Sequence, residues 1–160
     1  MSTTSLEIVT KSASETRAAG KKVGEVAQPG DVLLLSGVLG SGKTRFAQGV
    51  LWGLGGDEYA RSPTFVIVAQ YRARLTMYHM DLYRVETDDE TYDLGLDEYL
   101  SGEGVCVVEW ADKALDLFPD WSLMVHMEHT GADSRRLRLS DRSGRFVAAL
   151  AGSAAVSGGA

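Results

Sequence analysis

Eight consecutive residues in the first third of the chain have the types and spacing of a phosphate-binding loop. They match the pattern Gly-x-x-x-x-Gly-Lys-Thr in full and comprise Gly37, Val38, Leu39, Gly40, Ser41, Gly42, Lys43 and Thr44. Glycines allow a backbone to close around an anion with several N–H groups turned inward, and a lysine adds positive charge for the β- and γ-phosphates. A threonine hydroxyl at the last position is placed to ligate Mg²⁺. The segment therefore predicts a nucleoside triphosphate site.

Two carboxylates stand where a metal ion beside such a loop needs them. Asp81 closes the apolar run 75–80, and Glu109 closes the apolar run 105–108. Ligands of open α/β sheets bind at the carboxyl ends of the strands, so we expect both side chains to point toward Thr44. The alternative for each acid is a solvated residue in the turn after its strand.

The base of the nucleotide is indicated by what the sequence lacks. A GTPase usually recognises guanine with an Asn-Lys-x-Asp segment, and this chain contains no asparagine. That form of guanine recognition is absent, so ATP is the favoured nucleotide.

The elements flanking the loop are those that such a site requires. Residues 32–35 form a continuous apolar run typical of a central parallel strand covered on both faces, and residues 46–54 have a helical pattern. Residues 6–10 alternate like an edge strand, and Ser12 or Ser14 is the expected cap of a helix that runs to about residue 28.

The rest of the chain predicts two hairpins and one more buried strand. Runs 65–71 and 75–80 are expected to pair as an antiparallel hairpin, and runs 121–127 and 136–139 as a hairpin of half-exposed strands. Residues 94–100 indicate a short helix or a turn, and residues 105–108 indicate a second buried strand. The fold class expected is α/β: a three-layer α/β/α domain like a P-loop NTPase, with a mixed sheet and antiparallel hairpins at the edges.

Composition sets the domain count and excludes several classes of function. The 160 residues suit one domain, taken as residues 1–147, followed by an Ala/Gly/Ser-rich tail at 148–160 expected to be disordered. The net charge of −6 argues against tight binding of nucleic acid by this chain alone. No apolar run is long enough to span a bilayer, the first residues lack a signal sequence, and the single cysteine, Cys106, is expected to be an inert core thiol. These features favour a cytoplasmic protein.

Several segments together resemble the TsaE (YjeE) family, small P-loop ATPases of tRNA threonylcarbamoyladenosine synthesis. The resemblance runs from about residue 12 to residue 110 and rests on the loop end 39–44, on Ser-Pro-Thr-Phe at 62–65, on His-Met-Asp-Leu-Tyr-Arg at 79–84, on Gly-Leu-Asp-Glu-Tyr-Leu at 95–100 and on Glu109-Trp110. A phosphate loop alone is shared by many enzymes, but these segments in this order are specific to the family.

The resemblance implies roles for individual residues. The loop would bind the triphosphate, Thr44 with Glu109 would coordinate Mg²⁺, and Asp81 would occupy the Walker-B-like position and support hydrolysis. Thr16 would lie in the region that contacts adenine. Thr64 would belong to a switch that senses the γ-phosphate.

Two departures from the family pattern stand out. Val38 occupies a position where the family usually has Asp, so any contact from that carboxylate is lost. The match fades beyond Trp110, so a nucleotide contact from Arg135 or Arg136 is an expectation without a motif behind it.

The resemblance implies an ATP-hydrolysing subunit that is required for threonylcarbamoylation of adenosine 37 in tRNA. Its hydrolysis of ATP is expected to be weak in the absence of its partners. Its partners would be transferase proteins of the TsaB/TsaD type, with tRNA involved only indirectly. The side chains expected to face a partner are Thr64, Tyr83, Arg84 and Trp110, although Trp110 is equally well interpreted as core packing.

Two other classes stay open at this point. A small-molecule kinase with a P-loop would need an arginine-rich lid, whereas residues 86–97 are acidic. A nucleotide-gated binding module would bind and switch without significant hydrolysis. His79 is expected to be a packed or hydrogen-bonded residue rather than a metal ligand.

Overall fold

The described part of the chain forms one mixed sheet with helices against it. The structure is a computed structural model that describes residues 3–38, 41–60, 68–83, 85–87, 89, 95–111 and 115–151. The strands are β1 (Thr4–Thr10), β2 (Val32–Ser36), β3 (Val68–Tyr71), β4 (Met77–Asp81), β5 (Val105–Glu109), β6 (Leu123–His129) and β7 (Arg135–Asp141). The helices are α1 (Ala13–Val26), α2 (Lys43–Gly53), α3 (Leu96–Leu100) and α4 (Arg145–Ala151), with a 3₁₀ turn at Leu115–Leu117.

The strand order of the described sheet is β1-β7-β6-β2-β5-β4-β3. The four central strands β6, β2, β5 and β4 run parallel to one another. On one side of them β7 pairs antiparallel with β6, and β1 pairs antiparallel with β7. On the other side β3 pairs antiparallel with β4. The predicted α/β class, the central position of β2 and the antiparallel pairs toward the edges are confirmed. All four parallel strands end at the same edge, where ligands of such sheets bind.

The centre of the sheet is covered on both faces, which explains why β2 is apolar throughout. Leu33 and Leu35 pack in the core beneath α1, α2 and α4. Val32 and Leu34 pack in a second core with Leu96 of α3 and the residues after the 3₁₀ turn. Strands β6 and β7 instead alternate buried and outward-facing residues, so the predicted half-exposed hairpin is confirmed, although its first strand begins at Leu123.

Helices α1 and α2 approach each other at backbone distance. A Cβ atom on Gly20 of α1 would lie 2.2 Å from the carbonyl oxygen of Phe46, and one on Gly49 of α2 would lie 2.0 Å from that of Arg17. The cap of α1 is Ser12, whose side chain accepts a hydrogen bond from the N–H of Glu15, as predicted. The close approach of the two helix backbones at Gly20 and Gly49 holds the start of α1 beside the start of α2.

The tail that composition predicted to be disordered, residues 148–160, is helical over its first four residues, so that prediction is wrong there. Residues 148–151 belong to α4, and Leu150 is fully buried in the main core. A run of alanines with a leucine at helical spacing has high helix propensity, so packing of one apolar face was enough to order it. The remainder of the tail, residues 152–160, lies outside the described residues. Within the described ranges, no helix is long and apolar enough to cross a membrane.

Candidate functional site

The phosphate loop joins the carboxyl end of β2 to the start of α2. Gly37 has φ 135° and Gly42 has φ 105°, both in the region that favours glycine. A Cβ on Gly37 would also lie 2.4 Å from the carbonyl oxygen of Met127 in β6, so a larger residue cannot replace it without movement of the backbone. Gly42 occupies the cap position of α2 and has no side chain to bond the first N–H groups of the helix. Leu39 and Gly40 lie outside the described residues.

The loop lysine is held inside the loop to which it belongs. Lys43 is buried, and its Nζ donates to the carbonyl oxygens of Gly37 at 2.6 Å and Val38 at 3.1 Å. The hydroxyl of Ser41, also buried, lies 3.5 Å from the same nitrogen. The side chain of Val38 is 63% exposed. The ammonium group therefore stands at the centre of the loop, where a phosphate-binding lysine is required.

Thr44 and Glu109 meet, as the sequence predicted. The threonine hydroxyl donates to the carboxylate of Glu109, with Oε1 at 3.1 Å and Oε2 at 3.2 Å. Glu109 is almost fully buried, and its Oε2 also lies 2.5 Å from Nε2 of His79. The predicted interpretation of His79 as a hydrogen-bonded core residue is confirmed. Its bond to the carboxylate had no signal in the sequence, because it depends on the register between two strands distant along the chain.

Asp81 lies at the same edge of the sheet. It is the register partner of Glu109 across β4 and β5, so both acids end parallel strands side by side. Its Oδ1 accepts a hydrogen bond from the backbone N–H of Tyr83 at 2.8 Å, whereas the carboxylate that bonds Thr44 is that of Glu109. The two acids thus have different environments, one buried against α2 and one half-buried at the turn after β4.

An oxygen-rich position of this kind suits a magnesium ion. Thr44 and Glu109 bring a hydroxyl and a carboxylate oxygen together, which are the hard ligands that Mg²⁺ prefers. The described residues contain no cluster of three or more His, Cys, Asp or Glu side chains able to hold a metal. An ion here would therefore complete its shell with phosphate oxygens and water, as Mg²⁺ commonly does.

Thr16 and Arg135 flank the other side of the loop. The methyl group of Thr16 and Cγ of Arg135 lie 3.6 Å and 3.9 Å from the position that a Cβ of Gly42 would take. They share a cleft of about 60 Å³ whose walls are Ala13, Thr16, Gly42, Arg45, Asp133 and Arg135. Sequence reasoning missed Arg45 and Asp133, which belong to no motif. It left Arg136 open, and that side chain forms an ion pair with Glu7 of β1, with Nε 3.1 Å from Oε1.

Trp110 closes the site on the side of β5. Its φ of 60° is the one positive value of a non-glycine residue in the described ranges, a conformation that costs energy for a bulky side chain. The ring lies 4.0 Å from Nζ of Lys43 and 4.9 Å from the ring of Tyr83, which is 51% exposed. Trp110 therefore packs against the second core and also touches the phosphate loop. Thr64 and Arg84 lie outside the described residues.

The single cysteine lies near the start of β5, at the other end of the strand from Glu109, and its thiol is inert. Cys106 is buried in β5, and its Sγ donates to the carbonyl oxygen of Tyr99 at 3.4 Å. Burial raises the pKa of this thiol to about 12. A thiol that stays protonated is a poor nucleophile, so the core role predicted for it is confirmed.

The chain is similar in sequence and in structure to proteins of one family. Residues 10–137 match the model of the family described as "Threonylcarbamoyl adenosine biosynthesis protein TsaE". The tRNA threonylcarbamoyladenosine biosynthesis protein TsaE of Bacillus subtilis is 44% identical over 82% of this chain and 83% of its own length, and that of Treponema pallidum is 36% identical over 84% and 100%. The crystal structure of Bacillus subtilis YdiB superposes with a TM-score of 0.76 at 35% identity, covering 94% of this chain and 95% of that one. The family model and these relatives match most of the chain, and the structure places Glu109 beside Thr44 of the phosphate loop. The chain therefore belongs to the TsaE family.

Proposed function

We propose that this protein is an ATP-hydrolysing subunit required for threonylcarbamoylation of adenosine 37 in tRNA. The observation that carries the proposal is the contact of the Thr44 hydroxyl with the buried carboxylate of Glu109 at the mouth of the phosphate loop. That pair is what a magnesium-dependent P-loop hydrolase needs, and the relatives at 44% and 36% identity are named for tRNA threonylcarbamoyladenosine biosynthesis.

Each side chain has a separate task in this proposal. Lys43 moves its ammonium group from the carbonyl oxygens of the loop to the β- and γ-phosphates, since charge-assisted bonds to phosphate are stronger than bonds to neutral carbonyls. Thr44 and Glu109 would hold Mg²⁺, and the ion would supply positive charge to balance the charge on the phosphate oxygens. Asp81, at the neighbouring strand end, orients the attacking water. Thr16 and Arg135 border the small cleft beside the loop, on the side proposed to face the rest of the nucleotide.

Hydrolysis is expected to be slow without partners. The family implies transferase proteins of the TsaB/TsaD type, with tRNA bound by the assembly rather than by this chain, whose net charge is −6. Stabilising the transferred phosphoryl group usually requires an additional cation, and a cation supplied by a partner is worth roughly 10³–10⁵ in rate. The exposed Tyr83, whose ring packs beside that of Trp110, offers a surface near the site at which a partner could act. Thr64 of the expected switch and Arg84 are proposed as further partner-facing residues from the sequence alone.

The experiment compares nucleotide affinity with turnover in matched variants. We expect Asp81→Ala and Glu109→Ala to bind ATP but to stop releasing phosphate, with Glu103→Ala, an exposed acid in the turn before β5, as the control. Unchanged turnover in Glu109→Ala would contradict the proposed metal site. Normal switching without measurable hydrolysis in the wild type would favour a nucleotide-gated module, and transfer of phosphate to a small molecule faster than to water would favour a kinase.

A further inference from the structure

His79 is the buried polar residue of the site that the proposed mechanism leaves without a task. It lies in β4, two residues before Asp81, and its side chain is fully buried. Its Nε2 lies 2.5 Å from Oε2 of Glu109, while its Nδ1 has no hydrogen-bond partner among the described residues. A buried polar atom without a partner costs free energy, so the ring is a poor choice for simple packing at this position.

The hydrogen bond from His79 restricts the orientation of the Glu109 carboxylate. An ionised carboxylate only accepts hydrogen bonds, so Nε2 is the donor. The hydroxyl of Thr44 lies at nearly the same distance from both oxygens, 3.1 Å from Oε1 and 3.2 Å from Oε2, so the histidine is the partner that distinguishes them. The carboxylate thus bridges His79 of β4 and Thr44 of α2.

We propose that His79 is a positioning residue, which orients Glu109 so that its carboxylate and the hydroxyl of Thr44 face a divalent cation together. The inference rests on the proposed function, since it concerns the same cation. Without the histidine bond, the contact of Glu109 with Thr44 would no longer fix the carboxylate, because a hydroxyl rotates about its own bond and follows whichever oxygen is near. Carboxylates that ligate metals are themselves held by hydrogen bonds, and loss of such a partner typically costs about 10–100-fold in metal affinity.

Three substitutions separate this role from packing. His79→Leu and His79→Asn remove the bond: leucine has no donor, and the asparagine amide, which corresponds to Nδ1, is too short to reach Glu109. His79→Gln places an N–H near the position of Nε2 and is expected to restore it. The control is Met77→Leu, a volume-conserving change at a fully buried residue two positions earlier in the same strand and therefore on the same face of the sheet.

The readout is the affinity for the non-hydrolysable ATP analogue AMPPNP, measured by calorimetry in EDTA and across a Mg²⁺ titration. We expect His79→Leu and His79→Asn to keep the affinity of the wild type in EDTA but to need about 10–100-fold more Mg²⁺ for the metal-dependent gain. His79→Gln and Met77→Leu should behave like the wild type in both conditions. Thermal melting reports which variants are folded.

The outcomes distinguish this inference from the proposed function. A wild-type Mg²⁺ requirement in a folded His79→Leu or His79→Asn variant would overturn it, as would loss of the Mg²⁺ effect in a folded His79→Gln variant. If the leucine variant does not fold, the asparagine and glutamine variants carry the same expectations. A wild-type protein that binds no AMPPNP would refute the proposed function itself, and a wild type that binds it equally well with and without Mg²⁺ would refute the role of the cation.

Discussion

At the scale of single residues, the site is organised around one buried carboxylate. Glu109 is reached by Thr44 from α2 and by His79 from β4, and it ends the strand that pairs with β2. Glu109 and Thr44 were predictable because each belongs to a motif whose chemistry is known. His79 was not, because a histidine in a strand has no chemistry until the register of β4 against β5 sets its neighbour.

Replacement of Lys43 by alanine tests the phosphate loop. The lysine is buried at the centre of the loop, so its loss removes a charge-assisted contact with phosphate that is worth about 1.5–3 kcal/mol, roughly tenfold to hundredfold in affinity. Calorimetry with ATP and a phosphate-release assay measure both consequences. Lys22→Ala, on the exposed side of α1, is the control for loss of one positive charge. Unchanged binding and hydrolysis in Lys43→Ala would exclude this loop as the nucleotide site.

The Cys106 thiol gives a pH-dependent prediction. Burial raises its pKa from an ordinary value of 9.0 to about 12, so between these values the unfolded chain loses the proton while the folded chain keeps it. The contribution of this group to stability is therefore unchanged below about pH 9 and falls as pH rises toward 12. At pH 8 we expect Ellman's reagent to react only after addition of urea, with Cys106→Ser as the blank. Rapid labelling of the folded protein would show that the thiol is accessible.

At the scale of elements, local pattern located the strands and helices but not how closely they pack. The run at 32–35, the capping serine and the glycine loop predicted β2, α1 and the start of α2 within a few residues. The glycines inside α1 and α2 weaken both helices when considered locally, because glycine lowers helix propensity. Only the crossing of the two backbones, with Gly20 against Phe46 and Gly49 against Arg17, shows why they are there.

Substitution of Gly49 by alanine tests that crossing. In an open helix this change would stabilise the protein by up to about 1 kcal/mol, but here the new methyl group would lie 2.0 Å from the carbonyl oxygen of Arg17. Overpacking against backbone costs about 1–3 kcal/mol, so we expect a net fall in Tm of several degrees, measured by circular dichroism. Ala18→Gly, at an exposed position of α1, provides the comparison in which alanine is the better residue. A higher Tm for Gly49→Ala would contradict the close approach.

At the scale of the whole molecule, the parallel strands of the described sheet end at one edge, and the phosphate loop follows β2 at that edge. The α/β class, the mixed sheet and the common edge of β2, β4 and β5 were predictable, since apolar runs that end in acids indicate parallel strands. The order of the strands, with β6 inserted beside β2 and β1 at the far edge, was not, because it depends on contacts between segments remote in sequence. The end of α4 was also misjudged, because an alanine-rich run has the same composition in a tail and in a helix.

The central claim is that ATP hydrolysis at this site serves the modification of tRNA, and one reconstitution tests it most directly. Purified transferase proteins, their threonylcarbamoyl donor, tRNA, ATP and Mg²⁺ are combined with the wild-type chain, with its Glu109→Ala variant or with neither, and modified adenosine 37 is counted per transferase. Of these three reactions, we expect repeated rounds of modification only in the one that contains the wild-type chain. Modification that continues equally well without the chain, or with the Glu109→Ala variant, would contradict the account.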